Sequence, residues 1–458
     1  MVELLKKYIS GKKVVVLGFG KEGRSTYNLL RKYFPETDIA IADKNTELDI
    51  SDVVDAGIAK FITGDNYLDQ IADYDIIFKS PGVSIDVVGI EKEVKQILTQ
   101  TSLFLENYSS QIIGVTGTKG KSTTASLIHH IFKTARRKSV LIGNIGVPPF
   151  EAIDEIDDDS SIVFELSAHQ LEQARHSPKI SILLNVFNEH LDYFKSFGSY
   201  GESKLKIARF QNPEDHFIFS KVDLQKFEEK IELFKGSKFR FSSTSSSEVE
   251  AYYNEGKILS VLTGGTSIGV RERMLIGEHN LKNILAATAA CLLSRILPQD
   301  IEKGIITFQP LEHRLEFVGA FCGIDFINDS ISTIPESTIE ALNTIKNVDT
   351  LILGGFDRGI DYTLLTDYLS EHPIKNIFYT GPAGLRMNDM LRAGVGAKCQ
   401  TSYFENYNEL ANLILKLTTR GKVCLLSPAA SSYDQFNNFE ERGSTFKKIA
   451  RLLGESCH

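Results

Sequence analysis

The sequence predicts an α/β protein built on mostly parallel sheets, and three observations carry that prediction. Short continuous apolar runs alternate with longer amphipathic ones along the whole chain. The apolar runs lack the in-and-out alternation of a half-exposed strand, which suits parallel strands covered on both faces. Three of the runs lead straight into glycine-bearing loops, the arrangement by which such folds offer backbone N–H groups to phosphate. At 458 residues the chain exceeds what one core serves, so two or three domains are expected.

Taken in order, the expected strands are KVVVLG (Lys13 to Gly18), DIIF (Asp75 to Phe78), IIGVT (Ile112 to Thr116) and SIVFEL (Ser161 to Leu166). ISILLNV (Ile180 to Val186), TLILGG (Thr350 to Gly355) and KVCLLS (Lys422 to Ser427) follow. The polar stretch from Phe241 to Gly256 reads as a turn-rich excursion inside a domain. The whole chain's 51 basic and 59 acidic side chains give a formal charge of −8, with no basic tract suited to a phosphodiester backbone, so nucleic acid is not an expected partner. No apolar run is long enough to cross a bilayer, and the amino terminus lacks the pattern of a signal peptide. A cytoplasmic protein without membrane partners is expected. The five scattered cysteines, none in a C-x-x-C pair, favour thiols over disulfides or zinc.

In VVVLGFGKEG, Gly18, Gly20 and Gly23 complete G-x-G-x-x-G after a strand, with Asp43 ending the next one. The glycines permit close backbone approach to a diphosphate. Alone, this motif does not distinguish a nicotinamide dinucleotide, a UDP diphosphate or a tight turn without a ligand. GTKGKST, Gly117 to Thr123, is more specific. Only Thr118 and Lys119 separate Gly117 from Gly120, fewer than in the usual Walker loop, yet the chemistry survives. The turn can cradle phosphate oxygens, Lys121 can reach the β- and γ-phosphates, and the Ser122 hydroxyl can hold Mg²⁺. ATP is therefore expected as a ligand. Glu165 and Ser167 end one strand, and Glu189, His190 and Asp192 lie just past the next. Because ligands gather at strand carboxyl ends, these groups should converge on the phosphate loop and help coordinate Mg²⁺.

Together GTKGKST, GNIG, ELSAHQLE, NVFNEHLD, GEHNLKNILAA, LEHRLEFV, INDSIST, LILGGFDRG and LLSPAASSYDQFNNFEERG resemble the Mur ligase family over nearly the whole chain. The last block resembles the family's glutamate-adding branch. The resemblance implies three domains: 1–105 for the UDP substrate, Rossmann-like; 106–310 for ATP, like a P-loop ATPase; and 311–458 for the amino acid, again Rossmann-like. It implies an ATP-dependent ligase with UDP-N-acetylmuramoyl-L-alanine and glutamate as substrates, working through an acyl phosphate as a monomer.

Carried over by residue, the resemblance places Gly20, Lys21 and Glu22 at the UDP diphosphate. Asp43, Lys44 and Asn45 fall near the uracil, and Ser80 and Gly82 along the nucleotide. Asn144, Ser167 and Gln170 would meet the muramoyl group. Gly117, Thr118, Lys119, Gly120, Lys121, Ser122 and Thr123 would bind ATP phosphates, with Asn280 and Asn283 at the adenine and Arg314 and Asp329 closing over the nucleotide. Two Mg²⁺ sites would draw on Ser122, Glu165, His190 and a carbamylated Lys204, the last three acting with Lys121 in catalysis. The local pattern by itself reads Lys204 as a solvated helix residue. Thr333, Arg358, Ser432 and Phe439 would hold glutamate. Ile331 stands where the branch usually has lysine, and GGFDRG carries Arg358 in place of another lysine, so D-glutamate is the first expectation and L-glutamate an open alternative. SAHQLE differs from the usual block at Ala168 and His169. A folylpolyglutamate synthase would lack the amino-terminal domain, a dehydrogenase would leave the second loop idle, and a nucleotide-driven switch would form no product.

Overall fold

The computed structural model describes residues 1–48, 50, 53–55, 57, 59–83, 96–187, 189, 191–246, 248–264, 266–394 and 399–456. The chain divides into two compact units, Met1–Phe308 and Gln309–His458. The seven apolar runs that predict strands all form strands.

The first unit holds two sheets. One has β1 (Val14–Leu17), β2 (Ile39–Asp43), β3 (Lys60–Thr63), β4 (Ile76–Lys79) and β5 (Ile97–Leu98) in the order β3-β2-β1-β4-β5, all parallel. The chain leaves β1 in one direction and returns at β4 in the other, so the turns after β1, β2 and β4 lie side by side at a switch point. Both faces of β1 are buried, as its unbroken Val-Val-Val-Leu run requires.

The second sheet comprises β6 (Ile112–Thr116), β7 (Ser139–Gly143), β8 (Ser161–Glu165), β9 (Ile180–Leu183), β10 (His216–Ser220), β11 (Ser237–Ser242), β12 (Ala251–Asn254), β13 (Lys257–Ser260) and β14 (Ile268–Gly269). Its order is β14-β13-β12-β11-β10-β9-β6-β8-β7. β6 lies between β8 and β9, with Val115 opposite Glu165 and Thr116 opposite Leu183. The loop after β6 therefore has the ends of two other strands as neighbours.

The Phe241–Gly256 stretch departs from the expected excursion. β12 joins the sheet parallel to β11, then turns back through Glu255 and Gly256 into antiparallel β13. Both turn residues have positive φ, 47° and 88°, the backbone of a two-residue hairpin turn.

The second unit carries β15 (Glu316–Phe321), β16 (Ile324–Asn328), β17 (Val348–Gly354), β18 (Asn376–Thr380), β19 (Gln400–Tyr403) and β20 (Val423–Leu426), ordered β15-β16-β20-β17-β18-β19. Only β15 runs antiparallel to its neighbour. Cys291, Cys399 and Cys424 are free thiols. Cys322 is disulfide-bonded, against the expectation of thiols alone.

Gly18 has φ of 84°, and Ser80 Oγ donates to its carbonyl at 2.6 Å. A Cβ on Gly23 would collide with that same Gly18 oxygen, because the helix Lys21–Tyr33 starts directly against the strand end. Substituting Gly23→Ala should lower stability by about 2 kcal/mol, the usual cost of overpacking, in a denaturant titration read by circular dichroism.

Candidate functional site

The loop after β6 is shaped by its own backbone and by Asn185. Gly120 caps the helix Lys121–Thr134 with φ of 85°, where a side chain would be strained. A Cβ there would also strike the Asn283 carboxamide. Asn185 accepts from Thr118 N through its backbone oxygen at 3.0 Å and from Lys119 N through Oδ1 at 2.8 Å. Its Nδ2 returns a hydrogen bond to Lys119 O at 3.1 Å. Thr118 Oγ1 lies 3.2 Å from the Tyr200 hydroxyl and accepts from Phe187 N at 2.9 Å. Lys121 Nζ folds back onto the carbonyls of Gly117 and Thr118, at 3.1 and 3.0 Å.

Glu165, at the end of β8, is fully buried. Asn144 Nδ2 donates to its Oε1 at 3.3 Å, while Oε2 has no hydrogen-bond partner. A buried carboxyl oxygen left without a partner is costly, so this atom is suited to a cation. Lys119 Nζ pairs with Glu189 at 3.2 Å.

Lys204 overturns its local reading. It is 1 % exposed on the helix Phe197–Arg209, and its Nζ donates to Gly117 O at 2.8 Å. Burial, then the nearby charge of Lys121, holds the ammonium well below the usual lysine range, against the pull of Glu189 and Glu165. Lys204 therefore presents a nitrogen of depressed basicity to the phosphate loop. Asn280 and Asn283 are buried on the first turns of the helix Glu278–Leu293. Asn283 Nδ2 donates to Asn280 Oδ1 at 3.1 Å, and Asn280 Nδ2 to Ile276 O at 2.8 Å.

The first sheet's turns form a second cluster. Asp43 accepts from Phe19 N at 2.6 Å and Asn45 N at 2.8 Å, tying the end of β2 to the glycine turn. Gly20 caps the helix that begins with Lys21 and Glu22. Asn45 exchanges bonds with Glu47, and Lys44 extends toward Asp65 at 4.0 Å. Ser80 and Gly82 lie just past β4. Ser167 and Gln170 form a capping box on the short helix Ala168–Leu171, and Gln170 Nε2 reaches Glu22 Oε1 at 2.6 Å.

Within the second unit, Asp329 is buried and accepts from Ser427 Oγ at 2.8 Å and Leu315 N at 3.2 Å. Burial pushes its carboxyl up to about 6, although Ser332, Ser427 and the Arg314 charge oppose the rise. Arg358 Nη2 donates to Thr333 O at 3.0 Å. Asp357 is held by Arg386 at 2.7 Å. Arg442, 1 % exposed, donates to Ser330 Oγ and O at 3.0 and 2.9 Å. It also donates to Ala430 O at 3.0 Å and Ser431 O at 3.2 Å. It thus joins the loop leading to Thr333, the loop bearing Ser432, and the helix Phe439–Ser456. The Phe439 ring meets His313 edge-on at 6.3 Å.

Residues 115–291 match the family model described as the Mur ligase middle domain. A UDP-N-acetylmuramoylalanine--D-glutamate ligase of Acetivibrio thermocellus is 32% identical, with 98% of each chain covered. The chain belongs to the Mur ligase family. A relative of the same name from Koribacter versatilis is 31% identical over 98% of this chain and 99% of its own. The solved MurF ligase of Thermotoga maritima in complex with ADP covers 96% of this chain and 95% of its own at 17% identity, with a TM-score of 0.59. That likeness is one of fold.

In this Mur ligase the described residues bring Gly117 to Thr123, Glu165, Lys204 and Asn283 onto one loop, and Gly20, Glu22, Asp43 and Ser80 onto the neighbouring turns of the first sheet. His190 lies outside the described residues. Sequence reasoning missed Asn185, Tyr200, Lys79 and Arg442 as organisers. Asn185 had a signal, since it directly follows the apolar run of β9. The other three had none, because their burial depends on distant segments. Among the described residues no group of three or more His, Cys, Asp or Glu could hold a metal by itself. No helix among them is long and apolar enough to cross a membrane.

Glu22 yields a pH test. Burial, opposed by the Gln170 hydrogen bond and the Lys79 charge, pushes its carboxyl up to about 7. Between the usual glutamate range and that value the folded chain keeps a proton that the unfolded chain has released. Stability therefore falls as pH rises through the window and levels off above it. Glu22→Gln should raise the thermal midpoint by a few degrees at pH 8, and the gain should vanish near pH 4.5, as scanning calorimetry would record.

Proposed function

We propose that this chain joins D-glutamate to UDP-N-acetylmuramoyl-L-alanine, releasing ADP and phosphate, as a step in peptidoglycan precursor synthesis. It is an ATP-dependent, amide-forming ligase. The observation that carries the reading is the phosphate loop, where Lys121, the unpartnered Glu165 Oε2 and the buried Lys204 amine meet at the switch point of the second sheet. That set suits transfer of a terminal phosphoryl group, and the domains are assigned as 1–105, 106–310 and 311–458.

The acceptor's carboxylate is a poor electrophile. One of its oxygens attacks the γ-phosphorus, the bond to the β–γ bridging oxygen breaks, and ADP departs. The neutral amine of glutamate then attacks the acyl carbon, phosphate leaves, and the amide forms with loss of a proton. Lys121 exchanges the Gly117 and Thr118 carbonyls for phosphate oxygens, while N–H groups at the start of its helix orient the same oxygens. Asn280 and Asn283 are assigned to the adenine. Gly20, Lys21, Glu22, Asp43, Lys44, Asn45, Ser80 and Gly82 are assigned to UDP. Asn144, Ser167 and Gln170 go to the muramoyl group.

Magnesium fits the donor set of Ser122, Glu165 and a carbamylated Lys204, with His190 as a further ligand, and when bound it neutralises charge on the phosphates. The depressed basicity of Lys204 supports the modification. Its neutral nitrogen adds to the carbon of CO₂ and loses a proton, which exchanges an amine for an anionic oxygen donor. In the second unit, Thr333, Arg358, Ser432 and Phe439 are assigned to glutamate, and Arg314 and Asp329 to ATP. The chain works as a cytoplasmic monomer on small molecules.

Incubation with Mg-ATP, bicarbonate, UDP-N-acetylmuramoyl-L-alanine and either glutamate enantiomer tests the reading. Phosphate release should require both acceptor and D-glutamate, and mass spectrometry should find the muramoyl dipeptide. Product with L-glutamate alone would reassign the pocket, and ATP hydrolysis without product would sink the ligase. Lys121→Ala should cut kcat/KM at least about 100-fold without shifting the thermal midpoint. Lys204→Ala should remove turnover together with the ¹³C-carbamate signal seen with labelled bicarbonate.

A further inference from the structure

Lys79 is a buried cation in the first unit that neither the phosphate loop nor the glycine turn uses. Its side chain is 1% exposed at the end of β4. The ammonium donates to Val83 O at 2.6 Å and Ser80 O at 3.3 Å, closing the turn that carries Ser80 and Gly82. That turn packs on the glycine fingerprint, where a Cβ on Gly18 would meet Val83 at 2.9 Å and Ser80 at 3.0 Å. The carboxylate facing the ammonium belongs to the second sheet's side of the unit. Glu172 Oε2 lies 3.9 Å away and accepts from the Tyr193 hydroxyl at 2.9 Å. Glu172 immediately follows the Ala168–Leu171 helix, and Lys206 Nζ donates to its backbone oxygen. A second cross-link runs alongside, from Gln170 to Glu22 at 2.6 Å. Glu22 is itself anchored through its carbonyl by Gln100 at 2.8 Å. Two polar links thus tie the turns of the first sheet to one short segment of the second.

We propose that the Lys79–Glu172 pair and the Glu22–Gln170 bond together act as a spacer. It fixes the distance between the nucleotide turns and the Ser167–Gln170 segment, so that the chain selects a nucleotide joined to an acidic sugar over the nucleotide alone. The inference rests on the substrate assignment above. A half-buried ion pair suits this task, because breaking one side leaves a desolvated charge and makes a slipped spacing costly.

Glu172→Gln keeps the shape of the side chain and removes its charge. Calorimetric titration of this variant with UDP should give an affinity within about twofold of the unmodified chain, whereas affinity for UDP-N-acetylmuramoyl-L-alanine should fall about five- to tenfold. Lys79→Met combined with Glu172→Gln should cost the joined ligand no more than the larger single change, the mark of one coupled unit. Equal weakening of both ligands would mean that Lys79 merely holds its own turn and would overturn the spacer. So would unchanged affinity for the joined ligand. Should Glu172→Gln fail to fold, Tyr193→Phe removes the hydroxyl that holds Glu172 and also reaches Val83 O at 3.5 Å, so it loosens the same link from both ends and must give the same split between ligands. An unmodified chain that binds UDP but not the joined ligand would overturn the substrate assignment and the spacer with it. Tight binding of the joined ligand with no split in the variants would overturn the spacer alone.

Discussion

Three hydrogen bonds, two accepted and one donated by Asn185, fix the backbone of Thr118 and Lys119, and the chemistry of this chain depends on that fixture. The loop has two fewer residues between its glycines than a standard phosphate loop. Asn185 supplies its constraint from the end of β9, which the sheet order places directly beside β6. Once Thr118 and Lys119 are held, Gly117 presents its carbonyl to both Lys121 and Lys204. The same strand order brings Glu165 alongside from β8. Strand topology, loop geometry and side-chain chemistry thus share one cause, the position of β6 between two parallel neighbours.

Lys204 occupies the costliest position in this arrangement. A lysine amine removed from water loses its proton readily, and a second cation nearby, Lys121, pushes in the same direction. The cost is tolerable because Gly117 O accepts a hydrogen bond from the nitrogen and the Tyr200 ring lies 4.7 Å from it. The second unit is built differently. There Arg358 engages the Thr333 carbonyl, and Arg386 restrains Asp357, so the GGFDRG stretch is held by two guanidiniums.

Much of this was legible in the sequence because backbone constraints leave residue-level traces. Gly18, Gly23 and Gly120 stand where no Cβ fits, and a reader can find them by spacing alone. The seven strands announce themselves as apolar runs because parallel strands buried on both faces admit little else. Lys204 gave no such trace, since its burial comes from the whole Phe197–Arg209 helix lying against the phosphate loop. Lys79 and Arg442 were silent for the same reason: a cation's surroundings are set by segments far along the chain. The β12–β13 hairpin was hidden by composition, because its serine-rich approach resembles a loop and only the Glu255–Gly256 pair marks the turn.

Arg442 has a consequence for how the second unit can change. Its guanidinium is locked among the carbonyls and hydroxyl of Ser330, Ala430 and Ser431, segments that converge from far-apart places in the chain. Those segments are ganged, so none can be remodelled without disturbing the others. Change here is therefore most accessible through exchange of side chains mounted on an unchanging frame, and insertions or deletions in these loops should be rare routes of adaptation.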